Sequence, residues 1–363
     1  MRVGGGTAVD KGIKVFVGII AAIVVCAALS VAQTLVAPVA FALFTIAVVW
    51  PLQRALQARM PKLIAVTLTL IVTLLVVGWV SYVVVWGFGH VGQWVIANAA
   101  RLQSVYTEGT LWLEGHGFVL AGVLTEHFDV RWMIRILQEV SSRLQSLASF
   151  LVITLVYLLL ALLEVDAFKS QVAHLQRQDI AAYLLRTGTD IAVKFQKYMA
   201  VRTYMSLATG GVVWAFTLAA GMELATAWGA IAFAMNYIPF IGPFIATPLP
   251  TAFALAQFES WQMAVLVFAC LNVIQFLSGS YLEPRIAGKA LAVSPTVVLF
   301  AVFFWAFLWG LPGAFIGVPL VIAALTACAN ADATRWVADL FSGRSIEETP
   351  PPGAPASPPV TPA

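Results

Sequence analysis

Residues 15–50 read VFVGIIAAIVVCAALSVAQTLVAPVAFALFTIAVVW, 36 positions without one charged side chain. A single helix of that length would reach about 54 Å at 1.5 Å per residue, far beyond the roughly 30 Å hydrocarbon core of a bilayer. Pro38 interrupts it, because proline has no N–H for the helix ladder and disfavours helical backbone just before it. The run is therefore expected to make two spans, 15–29 and 35–50, with a turn between them and Pro51 ending the second. Arg54, Arg59 and Lys62 follow, and then a third apolar run at 63–86.

The rest of the chain has the same character. Of 363 residues, 61% are hydrophobic and 10% charged. Soluble domains run near 45–50% and 25%, and no soluble core of this size could hide so much apolar surface. Only helices and closed barrels satisfy their backbone in lipid, and uncharged runs of about 20 residues are helical spans. The expected fold class is thus all-α: a polytopic membrane protein with about eight transmembrane helices, some broken or re-entrant, plus amphipathic extramembrane helices. A net charge of +3 is too small to imply nucleic acid. Cys26, Cys270 and Cys328 lie in or beside apolar runs and read as small hydrophobes rather than disulfide or metal partners. Met1 to Lys14 precedes an apolar run without a small-residue cleavage site, which favours a retained first helix over a signal peptide.

Five regions follow from the pattern. Residues 1–90 hold the first hairpin and the third span. Residues 91–146 are mixed, with Trp94, Val95, Ala99, Leu102 and Val105 at helical spacing, and with Val130, Met133, Leu137, Val140, Leu144 and Leu147 in a heptad seam. That seam suits either subunit contact or an amphipathic helix lying on protein or membrane. Residues 147–203 hold a fourth span, 147–163, and a polar helical linker interrupted at Gly188. Residues 204–331 form the C-terminal transmembrane region. Residues 332–363 are a tail, expected to be disordered from about 349, where proline and small residues have nothing to bury. Basic residues at 54–62 and 164–202 place those loops and both termini in the cytoplasm, and 91–146 outside.

The stretch with most chemical content is Asn236-Tyr-Ile-Pro-Phe-Ile-Gly-Pro243, followed by Pro248 and Pro250. Backbone broken at membrane depth is tolerated only against protein or a wet cavity, and transporters use such breaks to present backbone groups to a solute. A proline-kinked packing helix is the plainer reading. Asn236, Pro239, Gly242 and Pro243 are the substrate-pathway candidates here. Asn272 and Gln275 join them from the next span, on nearly the same helical face as Glu283, where polar side chains face a bundle interior or bond between helices. Glu283 and Arg285 read as an ion pair at the membrane edge, and more sharply as a gate pair or coupling site. His90, His116, His127 and His174 lack metal spacing, and no zinc-protease, phosphate-loop or nucleophile-elbow motif occurs. No catalytic residue, metal or cofactor is therefore expected.

These residues also carry a resemblance. Pro38 and Pro51, Tyr198-Met-Ala-Val-Arg-Thr203 leading to Gly210, the 236–243 segment, Glu283-Pro-Arg-Ile-Ala-Gly-Lys289, Ser294-Pro295, Gly310, Gly313 and Gly317-Val-Pro319 together resemble the autoinducer-2 exporter (PerM-like permease) family over most of the chain. The resemblance implies a multi-pass protein of the bacterial inner membrane with about eight spans. It implies export of a small polar solute, autoinducer-2 being one candidate, or sodium–proton antiport. It also implies a homo-oligomer, a pentamer among the states, with elevator-like movement. The expected partners are the lipid bilayer, a small-molecule solute and a coupling proton or sodium ion, with no nucleic acid. A non-transport oligomeric scaffold is the competing class.

Overall fold

A computed structural model describes residues 6–115, 130–287 and 293–342. Among these, regular structure is helical throughout, and a lone antiparallel bridge joins Val293 to Ser342. Among the described residues, six helices are long and apolar enough to cross a membrane, and two shorter apolar helices, Phe16–Val31 and Ala225–Met235, accompany them. The chain is an all-α, multi-pass membrane protein.

α1 (Gly6–Val31) and α2 (Gln33–Gln57) meet at Ala32, whose ψ of 13° breaks the helix for one residue. The break between the first two apolar segments is thus a single residue. Pro51 does not end α2, which continues through Pro38 and Pro51 to Gln57. The reason is a donor from another helix: Pro51 cannot donate to the Ala47 carbonyl, and the Gln196 side chain donates to it instead, at 2.8 Å. α3 (Lys62–Ala97) is followed, after Asn98, by α4 (Ala99–Gly115). α5 (Val130–Ala173) is one 44-residue helix, and α6 (Gln178–Ala219) one of 42. The boundaries at 146/147 and 203/204 therefore fall inside continuous helices. α6 also runs unbroken through Gly188, since one interior glycine costs only about 1 kcal/mol.

α2, α3 and α5 share a small core of Ala42, Val66, Leu158 and Leu162. Beside it, fully buried Gln53 accepts a hydrogen bond from the Thr69 hydroxyl at 2.6 Å. Side chains at 130–148 and everything at 116–129 lie outside the described residues, so the heptad seam lies there too, as do Lys289 and the proline-rich tail.

The C-terminal half is built from two hairpins of opposite direction. In the first, α7 (Ala225–Met235) turns at 237–240 into α8 (Ile241–Ala246) and α9 (Pro248–Phe258). A Cβ on Gly242 would lie 2.1 Å from the Met235 carbonyl oxygen, so the returning arm lies directly on the outgoing one. α10 (Trp261–Phe276) continues through a π-helical segment, Leu277–Leu282, into α11 (Glu283–Ala287). The second hairpin is α12 (Pro295–Ala329). It is not one crossing, because Gly310 has φ 64° and ψ −143° and the chain reverses there. A Cβ on Gly313 would lie 1.8 Å from the Trp305 oxygen, and one on Gly317 would lie 2.8 Å from that of Ala301. Neighbours eight and then sixteen positions apart mean two antiparallel arms, 295–309 and 311–329. A 3-10 turn, Asp332–Thr334, and α13 (Arg335–Phe341) close the described chain.

Side-chain bonds fix the two ends of the bundle. At the basic end, Lys62 pairs with Asp166 at 3.1 Å, Tyr183 donates to the Ala327 carbonyl, and Asn330 donates to Thr187 and Asp190. The base of the α12 hairpin is therefore at this end. At the far end, Trp94 donates to Glu223, and Arg101 holds both Glu259 and the Gln257 carbonyl. Gln257 also donates to the Gly221 carbonyl and accepts from the Glu223 N–H. The base of the α7–α9 hairpin is there. The two hairpins thus enter from opposite ends.

Candidate functional site

The site grows out of the crossing of α6 and α7. Gly210 and Gly229 face each other so closely that a Cβ on either would sit 2.9 Å from the other's carbonyl oxygen. This close approach sets an antiparallel register that continues toward the hairpin tip. Ser206 meets Asn236, and the Tyr237 hydroxyl donates to Thr203 at 3.1 Å.

At Asn236 the α7 helix ends, and the turn explains why these residues are there. The Tyr237 and Ile238 amides fall back on the carbonyls of Ala234 and Met235, three positions earlier. Pro239 has no amide to offer. Phe240 adopts φ 62° and ψ −50°, and the Ile241 amide donates to the Pro239 carbonyl at 2.7 Å. That is the strained form of the three-residue γ-turn, rare for any residue with a side chain. Gly242 then follows at a position where only hydrogen fits. Pro243 lies in the first turn of α8, whose leading amides lack helix partners in any case.

Around this tip lies a buried polar cluster. Arg202, 7% exposed, faces Glu283 with a two-pronged geometry: Nη1 donates to Oε2 at 3.0 Å, and Nη2 lies 3.0 Å from Oε1. The fork matches a carboxylate in both shape and charge. Nη1 also makes a long contact, 3.5 Å, to the Asn236 carbonyl. Asn236, 8% exposed, donates through Nδ2 to Ser206 at 3.3 Å. One turn before Arg202, the Tyr198 ring centre lies 5.6 Å from the guanidinium carbon. The Tyr198 hydroxyl and Arg202 Nε are buried without a directed hydrogen bond. The α12 hairpin closes the other side, where Phe315 stacks on Tyr237 with ring centres 6.1 Å apart.

The structure links Glu283 to Asn236 through Arg202, and Pro239, Gly242 and Pro243 lie in the turn that follows Asn236. It does not bring Arg285 or Asn272 to them. Arg285 is exposed and sits 4.2 Å over the Tyr281 ring, so Glu283 pairs with Arg202 in its place. The chain spacing of Glu283-Pro-Arg285 suggested a local pair, but the buried guanidinium from α6 is the better-placed partner. Asn272 is exposed and donates to the Phe268 carbonyl of its own helix at 2.8 Å, and Gln275 is half-buried. The shared-face expectation assumed α-helical turns from 272 to 283. The π-helical segment Leu277–Leu282 takes more residues per turn and rotates Glu283 off that face.

Arg202 was not among the site candidates; it stood only in the 198–203 motif and among the basic residues of 164–202. Its signal was present nonetheless. Tyr198, Arg202, Ser206 and Gly210 recur every fourth position, a polar-to-small stripe on one face of α6. Among the described residues, no group of three His, Cys, Asp or Glu side chains converges as a metal set.

Comparison with known proteins gives one consistent result. The sequence model described as AI-2E family transporter matches residues 17–332. The AI-2 transport protein TqsA of Escherichia coli (strain K12) is 27% identical over 346 residues, 93% of this chain and 98% of the relative. A putative transport protein of Haemophilus influenzae is 24% identical over 344 residues, 90% and 96% of the two chains. The putative transport protein YhhT of Escherichia coli (strain K12) is 35% identical over 123 residues, about a third of each.

Proposed function

Because this chain belongs to the AI-2E family of transporters, we propose that it exports a small polar solute across the bacterial inner membrane by alternating access, with autoinducer-2 as the first candidate. The observation that carries the reading is the pairing of buried Arg202 with the partly buried Glu283 beside Asn236, at the tip of a hairpin whose backbone is broken. Taking two charges out of water is expensive, and packing alone would be served as well by apolar residues. A pair kept at this depth fits a group that changes partners.

In this reading Asn236 and the backbone of the turn that follows it meet the solute, with Gln275 facing the pathway from α10. Arg202 supplies the cationic donor. Glu283 is the coupling group: in the state described it holds Arg202, and in the other it takes a proton or sodium ion. Sodium–proton antiport in place of solute export uses the same carboxylate, and a homo-oligomer, a pentamer included, belongs to the same proposal. The end of the bundle rich in Arg54, Arg59, Lys62 and Arg177 is assigned to the cytoplasm by its charge.

The test is flux into proteoliposomes of the purified chain, with candidate solutes and with an imposed proton or sodium gradient. Solute movement that responds to one gradient supports the proposal. Gradient-driven sodium movement with no solute selects antiport. If neither moves above empty vesicles while deleting residues 91–146 disrupts assembly, the scaffold class is the correct one.

A further inference from the structure

A second constellation lies at the basic end, away from the hairpin tip. Trp50 of α2 has Lys169 of α5 over its ring, with Nζ 4.1 Å from the centroid, and the Arg54 guanidinium carbon is 5.9 Å from the same point. The two cations are thus no further apart than the sum of those distances. Neither forms an ion pair with another described residue. The nearest candidate, Asp166, is held by Lys62 at 3.1 Å, and Lys62 also donates to the Leu163 carbonyl at 2.8 Å. A tryptophan ring attracts one cation and offers little against repulsion between two. Both side chains are exposed, at the end of helices that span the membrane. Phe168, next to Lys169 in the chain, is exposed as well, at 65%.

We propose that Trp50, Arg54 and Lys169 form a binding site for the phosphodiester headgroup of an anionic phospholipid. A phosphodiester brings the negative charge and the multiple acceptor oxygens that two neighbouring cations lack. Tryptophan sits by preference at the membrane interface, where its ring borders the glycerol region. Basic pockets between transmembrane helices are a recurrent way of holding such headgroups. Phe168 gives an acyl chain an apolar surface to follow. A soluble phosphate would gain the charge contacts but not that surface, which is why the lipid is the assigned occupant. The site joins α2 to α5, so the lipid would clasp two helices.

The purified full chain in mild detergent is titrated with phosphatidylglycerol and, separately, with phosphatidylcholine, and bound lipid is counted by native mass spectrometry. The site predicts one phosphatidylglycerol retained in preference to phosphatidylcholine. For R54Q/K169Q, the lipid concentration at half-occupancy rises about tenfold, as expected for losing charge-assisted contacts to phosphate. Both substitutions are at exposed positions and leave folding intact. K169R, which keeps the charge, retains the lipid and separates loss of binding from loss of structure. Equal retention of phosphatidylglycerol by wild type and double variant overturns the proposal, as does equal retention of the two lipids. Displacement of the lipid by millimolar inorganic phosphate overturns it as well, because the occupant is then a free anion.

Discussion

Two glycines in the hairpins are required for different reasons, and the difference can be measured. At Gly242 the backbone is ordinary, but an added Cβ would meet the Met235 carbonyl at 2.1 Å, and backbone cannot step aside. At Gly310 nothing lies within 4 Å of an added Cβ, yet φ is 64° with ψ −143°, a region open essentially to glycine alone. Gly242→Ala is expected to lower stability by roughly 3 kcal/mol or more through steric strain. Gly310→Ala is expected to lose about 1–3 kcal/mol through backbone conformation. Thermal melts of the purified variants compare the two, and Gly242→Ala should be the less stable. The buried pair behaves differently again. Breaking it with Glu283→Gln leaves the Arg202 charge without its partner and is expected to cost about 3–5 kcal/mol, whereas R202M/E283L recovers most of that loss. If the double variant is as unstable as the single ones, the two side chains are not partners.

At the scale of elements, α2 shows how one side chain can repair another helix. Pro51 leaves the Ala47 carbonyl without a helical donor, and Gln196 of α6 supplies one. Gln196→Leu should therefore cost about 1 kcal/mol, and Pro51→Ala should remove that cost by restoring the ladder N–H. Additive losses in a double-mutant cycle would disprove the repair. The same example marks the limit of what periodicity reveals. The apolar runs, and the break at 236–243, were legible because proline and glycine act on their own backbone. Pro51 as a terminator was a local rule overridden by a donor 145 positions away. Glu283 was legible as a charge paired at the membrane edge, but its partner was not. Arg285 is close in sequence, whereas Arg202 is brought close by the Gly210–Gly229 crossing and by the π-helical segment before Glu283. Neither determinant has a reliable single-residue signature.

For the molecule as a whole, the two hairpins enter from opposite ends and lie side by side, with Tyr237 against Phe315 and Ile238 within the core of α12. The far-end bonds from Trp94 and Arg101 fasten the base of the first hairpin to α3 and α4. If alternating access moves that hairpin, these bonds open in each cycle. A short bifunctional maleimide joining R101C to E259C, in a background lacking Cys26, Cys270 and Cys328, should then stop transport, while either single cysteine variant stays active. Full activity after complete cross-linking would mean that this end does not move. The central claim is that the broken tip of the first hairpin touches the transported solute. Solute flux into proteoliposomes by Asn236→Ala, at matched folding and reconstitution, tests it most directly. Flux at least about tenfold lower at low solute is expected, with KM raised, as for a lost polar contact to the solute. Flux and KM equal to wild type would contradict it.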